Sequence, residues 1–214
     1  MSTPSTADQV VLDSFEISRL TPVELREETW GWVIYRTTYQ SDAAFNRTID
    51  IITFWIKHDV LTNFNYRSAP PSDLAPRHQL WTRHQFTIFE DLTTLDGASI
   101  DTVREQFEAW GESLGMRDQW NKYRVCMMID QEAVDRLSQA VLAEEHNELS
   151  VDKCLEDWKR WHVPVIEAFP DLDVGDDYQG WINCSISQLF RLWTLMGDAM
   201  SVGRATYMAE DGIY

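Results

Sequence analysis

The stretch Trp30-Gly31-Trp32-Val33-Ile34-Tyr35-Arg36-Thr37-Thr38-Tyr39 decides how this chain is read. Aromatic and β-branched residues crowd it, and such side chains suit a pleated, buried surface, so it predicts a strand. Side chains alternate along a strand, which puts Trp32, Ile34 and Arg36 on one face. Ser41 follows as a cap. Phe45, Ile49, Ile52, Ile56 and Val60 then recur at helical spacing, so an amphipathic helix leaves the strand directly.

Working outward, residues 1–20 read as a flexible lead-in and 21–214 as a single α+β domain. Thr21-Pro22-Val23-Glu24 combines a cap, a proline at the first helical position and a capping glutamate, the start of a short helix. Asn63–Arg77 is rich in proline and asparagine and reads as a loop. His84–Asp91 alternates as a second strand and ends at the turn Leu95-Asp96-Gly97. Ser99 opens a helix carrying Ile100, Val103, Phe107, Trp110 and Leu114, closed by Gly115. Tyr123–Ile129 is a third strand, followed at once by helix through Ala133, Val134, Leu137 and Val141. Ser150 caps a helix with Val151, Cys154, Trp158 and Trp161. Pro164 and Pro170 break the chain before an acidic loop at Asp171–Asp177. Gly180–Ser185 is a fourth strand, leading into helix through Leu189, Leu192 and Met196.

Setting aside the helices at 99–114 and 150–161 as insertions leaves β-α-β-β-α-β, a ferredoxin-like core sheet with inserted helices. In that arrangement strands one and two each pair with strand three and not with each other. Helices cover one face. The other needs an inserted helix or a second subunit, because a bare apolar face does not stay soluble.

Composition narrows the function classes. The net charge is −17, and residues 131–178 hold 13 acidic against 4 basic residues. Such a field repels phosphates, which argues against nucleic-acid and anionic-membrane binding and leaves a basic protein partner open. The three cysteines are widely spaced with no CxxC, as expected of reduced thiols. No basic, apolar leader opens the chain and no apolar run approaches the ~18 residues of a membrane span, so the expected location is cytoplasmic. Ten tryptophans exceed what a core of this size needs, so some are expected to line a pocket or interface.

Several stretches resemble a large group of ascomycete fungal proteins that has no assigned activity. The likeness rests on Gly31-Trp32-Val33-Ile34-Tyr35-Arg36-Thr37-Thr38-Tyr39, Phe89-Glu90-Asp91, Leu95-Asp96-Gly97-Ala98-Ser99, Tyr123-Arg124-Val125-Cys126 with Ile129-Asp130, and Gly180-Trp181. It implies one domain and a fungal origin, and it carries no catalytic role.

Among chemical motifs, Gly111-Glu112-Ser113-Leu114-Gly115 spells G-x-S-x-G. A nucleophile elbow needs a strand before it and a helix after it, and here the order is reversed. Arg36, His84 and Glu90 form the candidate catalytic set: Arg36 to hold an anionic group, His84 to shuttle a proton, Glu90 to orient it. Tyr35 or Tyr123 is an alternative acid. The competing account makes Arg36 and Glu90 a structural ion pair and puts His84 at a wet strand end. Trp32, Tyr35, Tyr123 and Trp181 are candidate ligand-binding residues. Asp130 and Asp91 suit helix and turn capping. His78 and His84 stand six apart without a metal-binding motif, and neither a G-x-G-x-x-G nor a Walker loop is present, so no metal and no cofactor are expected. The function expected is a cofactor-independent protein that binds a small hydrophobic ligand or performs acid/base chemistry on it, of isomerase, cyclase or lyase type. The alternatives are an acidic interaction protein with a basic partner and a homodimeric structural subunit.

Overall fold

A computed structural model describes residues 29–63, 75–117, 120–140, 158–170, 172, 178–196, 202–205 and 213–214. The expectations for 1–24, for residues 150–157 of the helix capped by Ser150, for Cys154, for the loop at 171–177 apart from Leu172 and for ten of the thirteen acidic residues of 131–178 lie outside the described residues. The α+β class holds: helices pack on a five-stranded mixed sheet of order β2-β1-β3-β4-β5.

Strand β1 (Val33–Arg36) lies inside the predicted Trp30–Tyr39 segment, and Trp30 forms an isolated bridge with His84. Ser41 caps helix α1 (Asp42–His58), its hydroxyl accepting from the Ala44 N–H at 3.2 Å. Helix α2 (Ala75–Thr82) begins inside the segment read as a loop. It holds His78, so His78 and His84 do not lie along one extended segment. Strand β2 is short (Thr87–Phe89), and Asp91 caps a single turn, α3 (Leu92–Leu95). Ser99 caps α4 (Ile100–Ser113) as expected. The helical turn α5 (Trp120–Arg124) takes the first residues assigned to the third strand, and β3 is Val125–Ile129. Asp130 caps α6 (Gln131–Leu137) through the Ala133 N–H at 2.8 Å. Next come β4 (His162–Glu167), β5 (Trp181–Ser185), α7 (Leu189–Met196) and the short α8 (Val202–Ala205).

The strand order departs from the ferredoxin-like arrangement. Strand β2 pairs with β1, in parallel, with Val33 opposite Thr87; β1 also pairs in parallel with β3, with Val33 opposite Cys126. The reason lies in α4. It is the crossover that carries β2 to β3 and keeps the strands parallel, not an insertion. Strand β4 was missed because Pro164 looked like a breaker. In β4 the N–H groups of Ala168 and its even-numbered neighbours point toward β3, as the Ala168 N–H bond to the Arg124 carbonyl shows. The β3–β4 register ends at Met127 opposite Val165, so the nitrogen of Pro164 falls where no ladder bond is needed.

Both sheet faces are covered. Trp32, Ile34, Val125, Met127, Ile129, Val163 and Val165 pack under α1, α6 and α7. Val33, Tyr35, Cys126, Met128 and Ile166 pack under α3 and α4, so the protein's own helix covers the second face. No helix among the described residues is long and apolar enough to cross a membrane.

Gly31 sits at φ +146°, and a Cβ there would lie 2.3 Å from the Gln85 carbonyl oxygen. The backbones touch because Gln85 N–H donates to the Trp30 carbonyl at 2.7 Å. Gly31→Ala is therefore expected to cost about 3 kcal/mol or more, through strain and a split between β1 and β2. Gly97→Ala, at φ +68° with open space around it, is expected to cost only about 1–2 kcal/mol. Urea denaturation of the two variants checks the ranking; equal midpoints would contradict the close approach.

Candidate functional site

Parallel strands end together, and in open sheets ligands favour the crevice at the carboxyl ends where the connections diverge. Here that crevice is occupied by the protein's own side chains. Arg36, buried at the end of β1, donates from Nε to the Thr38 carbonyl at 2.7 Å, to Glu90 at 3.0 Å and to Asp42 at 2.5 Å. Its guanidinium also lies 4.6 Å from the Tyr39 ring centroid and 4.4 Å from that of Phe45. The Tyr39 hydroxyl donates to the Arg36 carbonyl and accepts from the Asp91 N–H. The Thr38 hydroxyl bonds Gln131. Ser41, Asp91 and Asp130 cap the three helices that start at this edge. Arg36 and Glu90 thus form an ion pair that ties β1 to the chain beyond β2.

His84 lies at the opposite end. It bridges Trp30 at the start of β1, six residues before Glu90, a separation of roughly 20 Å along extended chain. The structure brings Arg36 and Glu90 together and leaves His84 apart from both. The imidazole stacks on Trp81 with centroids 4.6 Å apart and meets the edges of Trp30 and Phe86 at 4.7 and 4.6 Å. Its Nε2 is buried without a partner. Burial among rings lowers its pKa to about 4, because nothing there compensates the charged form.

The four ligand-binding candidates also divide between faces. Trp32 is fully buried on the α7 side, 5.3 Å from the Trp193 ring. Tyr35 is buried on the α4 side, stacked on Phe89 at 4.9 Å, and desolvation raises its pKa far above the ordinary phenol range. Tyr123 stacks on Trp110 at 5.0 Å. Trp181 is half-buried against the α4-side core. Ser113 of the G-x-S-x-G string is inside α4, its hydroxyl donating back to the Trp110 carbonyl at 2.7 Å. Burial holds the Cys126 and Cys184 thiols protonated. Among the described residues no group of three or more His, Cys, Asp or Glu is placed to hold a metal ion.

Among the described residues, three of the six buried side-chain atoms without a partner lie around Trp32, at the amino-terminal edge of β1 and β3; the others are His84 Nε2, Arg136 Nε and the Tyr214 hydroxyl. Helix α7 crosses there, with Phe190 5.4 Å from Trp30 and Trp193 against Trp32. The Asn121 amide donates to the Trp193 carbonyl at 2.6 Å, and three residues on, Arg124 donates to the Met196 carbonyl at 2.9 Å. That bond sets the Asn121 orientation, since a carbonyl can only accept. Three side-chain atoms in this contact are buried without partners: Trp32 Nε1, Trp193 Nε1 and Asn121 Oδ1. Two strands away, roughly 10 Å across the sheet, is a buried carboxylate. Register places Trp32 level with Val125, and Val125 lies opposite Glu167. Glu167 accepts from the Tyr178 hydroxyl at 2.5 Å and lies 3.9 Å from Arg124. Burial first, and then the charge of Glu167, raises the Tyr178 pKa.

Sequence reading missed Asn121, Glu167, Tyr178 and Trp193. The alternation Val163, Val165, Glu167 was a usable strand signal, hidden by Pro164. Trp193 lies three residues beyond Phe190 in a readable helix, but no pattern tells which indole N–H will lack a partner. No family model, no curated protein and no solved structure matches the chain.

The buried imidazole makes stability depend on pH. The unfolded chain takes up a proton on His84 below about 6.5, while the folded chain resists until about 4. The His84 contribution to stability therefore falls as pH drops through that window, by up to about 1.4 kcal/mol per pH unit, and is constant below it. His162, lowered first by burial, adds in the same direction. His84→Phe is expected to flatten most of this acid slope in denaturant titrations. An unchanged slope would contradict the burial of the imidazole.

Proposed function

We propose that this protein binds a small, largely apolar molecule in the seam between α7 and the amino-terminal edge of the sheet, without a cofactor. One observation carries the reading: where the Trp32 and Trp193 rings meet and Asn121 bonds the Trp193 main-chain carbonyl, Trp32 Nε1, Trp193 Nε1 and Asn121 Oδ1 are buried with no protein partner. Leaving a buried donor or acceptor unpaired costs about 1–3 kcal/mol per group, and a domain is stable by only about 5–15 kcal/mol in total. An occupant that pairs with them recovers much of that cost. Apolar walls with a few fixed polar groups are the usual make-up of a small-molecule site. The surroundings here, Trp30, Val125, Phe190 and Met196, fit that description.

Binding is favoured over acid/base catalysis because the expected set is divided. Arg36 and Glu90 neutralise each other at one edge, and His84 is enclosed in rings at the other. The fungal resemblance brings no residue role to either reading, and a cytoplasmic location remains part of the proposal.

Indole N–H signals in ¹H–¹⁵N spectra test it on the intact protein. Benzamide, phenylacetate, δ-valerolactam and imidazole serve as probes, with Trp32→Phe and Trp193→Phe assigning the peaks. At least one probe is expected to move the Trp32 and Trp193 signals together. The Trp30 signal is expected to stay in place, because its N–H already donates to the Leu80 carbonyl at 2.8 Å. Shifts confined to the Arg36 edge, or none at all, would contradict the assignment.

A further inference from the structure

Both faces of the sheet are covered, so its open surfaces are its edges, and the two edges differ. At β5 the end of the chain closes the edge: the Ser185 N–H donates to the Tyr214 carbonyl at 2.8 Å, and the Tyr214 N–H to the Asn183 carbonyl at 3.0 Å. At β2 the Gln85 N–H donates to the Trp30 carbonyl and the Thr87 N–H to the Trp32 carbonyl, so odd-numbered residues direct their main-chain groups toward β1. Those groups alternate in direction along a strand, and the ones on Phe86 and Ile88 therefore point away from the sheet. Among the described residues no main-chain bond reaches them from that side. Open edges are normally blunted with charge or proline, yet residues 84–89 hold no Lys, Arg, Asp, Glu or Pro, and Ile88 is 38 % exposed. We infer that a second copy of this chain pairs with β2 edge to edge, antiparallel across a two-fold axis at Thr87, joining two five-stranded sheets into one.

Charge identifies the occupant. The segment Arg83–Asp91 is basic at its start, uncharged in its middle and acidic at its end. Lys57 adds to the basic end, its ammonium 5.7 Å from the Trp81 ring that stacks on His84. At the other end Glu90 and Asp91 are exposed, and Glu90 shares Arg36 with Asp42, so that end is net negative. A two-fold axis at Thr87 sets each Arg83 opposite the Asp91 of the second copy, so ends of opposite sign meet twice. Each Phe86 then faces the Ile88 of the second copy as a hydrogen-bonded pair, and the two Thr87 side chains meet in the closer, non-bonded pair. A parallel copy would bring like ends together, and a uniformly basic strand would suit the acidic end but be repelled by Arg83 and Lys57. The chain as a whole carries −17, so two copies repel at long range, and the uncharged stretch 84–89 is where they can approach. The edge is short and the interface correspondingly small, so the association expected is micromolar and not nanomolar. The pairing uses neither Trp32 nor Trp193 and stands apart from ligand binding in the seam.

Sedimentation velocity of the wild-type chain from micromolar to millimolar concentration, with amide hydrogen exchange followed by NMR over the same range, reads this interface without a variant. The mass is expected to move from one chain to two. The Phe86 and Ile88 amides are expected to exchange at least about tenfold more slowly in the concentrated sample, whereas the Thr87 amide, already bonded to Trp32, stays unchanged. Ile88→Pro removes an outward N–H and keeps the bonds to β1, so it is expected to remain a single chain at every concentration with the wild-type circular dichroism spectrum. If that variant unfolds, exchange in the wild-type chain decides alone. A single chain persisting to millimolar concentration overturns the proposal. A dimer whose Phe86 and Ile88 amides exchange as fast as in the dilute sample also overturns it, because its interface lies elsewhere. Protection of those amides at every concentration does the same, because the edge is then covered within one chain.

Discussion

Burial of β1 on both faces and both edges is the constraint on which the rest of the structure depends. Val33 and Ile34 are fully buried, Tyr35 is 1 % exposed, and even Arg36 at the strand's end is only 6 % exposed. A strand in that position needs apolar side chains on alternate faces and a parallel neighbour at each side. The sequence supplies both. Trp32 and Ile34 anchor the α1/α7 layer, while Val33 and Tyr35 anchor the α4 layer. Gly31 lets the incoming chain touch Gln85, so β2 can close up against β1. The connections through α1 and α4 then place β2 and β3 on opposite sides of the first strand.

That central position gives the two ends of β1 different chemistry. At the carboxyl end the chain turns out toward solvent, and a buried guanidinium can be balanced by two carboxylates that remain half or more exposed. Asp42 and Glu90 do this, and Ser41, Asp91 and Asp130 satisfy the helix ends around them. The edge where sheet geometry usually admits a ligand is thus held shut by ordinary structural bonds. At the amino end α7 lies across the strands, and water is excluded from indole, amide and carboxylate alike. Glu167 finds Tyr178 and Arg124 there, but two indoles and the Asn121 oxygen find nothing in the protein. Gly203 in α8 takes part in this arrangement: a Cβ at that position would come within 2.9 Å of the Tyr178 ring that meets Glu167.

What could be read in the sequence was local. Helix α1 and its Ser41 cap, α4 and its Ser99 cap, and the Asp130 cap of α6 follow from periodicity and from the bonding needs of helix ends. Strand β1 was legible because Trp32–Tyr35 has no other plausible state. The sheet order was not, since pairing depends on whether α4 is a crossover or an insertion, and both give the same helical pattern. Pro164 concealed β4 because its tolerance depends on which neighbour its nitrogen faces, a tertiary fact. Arg36 and Glu90 read either as members of a catalytic set or as a structural ion pair, and the structure shows the pair. His84 shares a strand face with Glu90, yet a shared face does not bring two residues together when a strand's length separates them. The unpartnered groups at Trp32, Trp193 and Asn121 leave no sequence signature, because being unpaired is a property of the assembled core.

What lies against those three atoms is read most directly by a high-resolution crystal structure of the protein as purified, followed by a soak in δ-valerolactam. The account predicts density for a multi-atom, non-protein group within hydrogen-bond distance of Trp32 Nε1, Trp193 Nε1 and Asn121 Oδ1, in one crystal or the other. Protein oxygens paired with both indole nitrogens, or a single fixed water that the lactam does not displace, would contradict it.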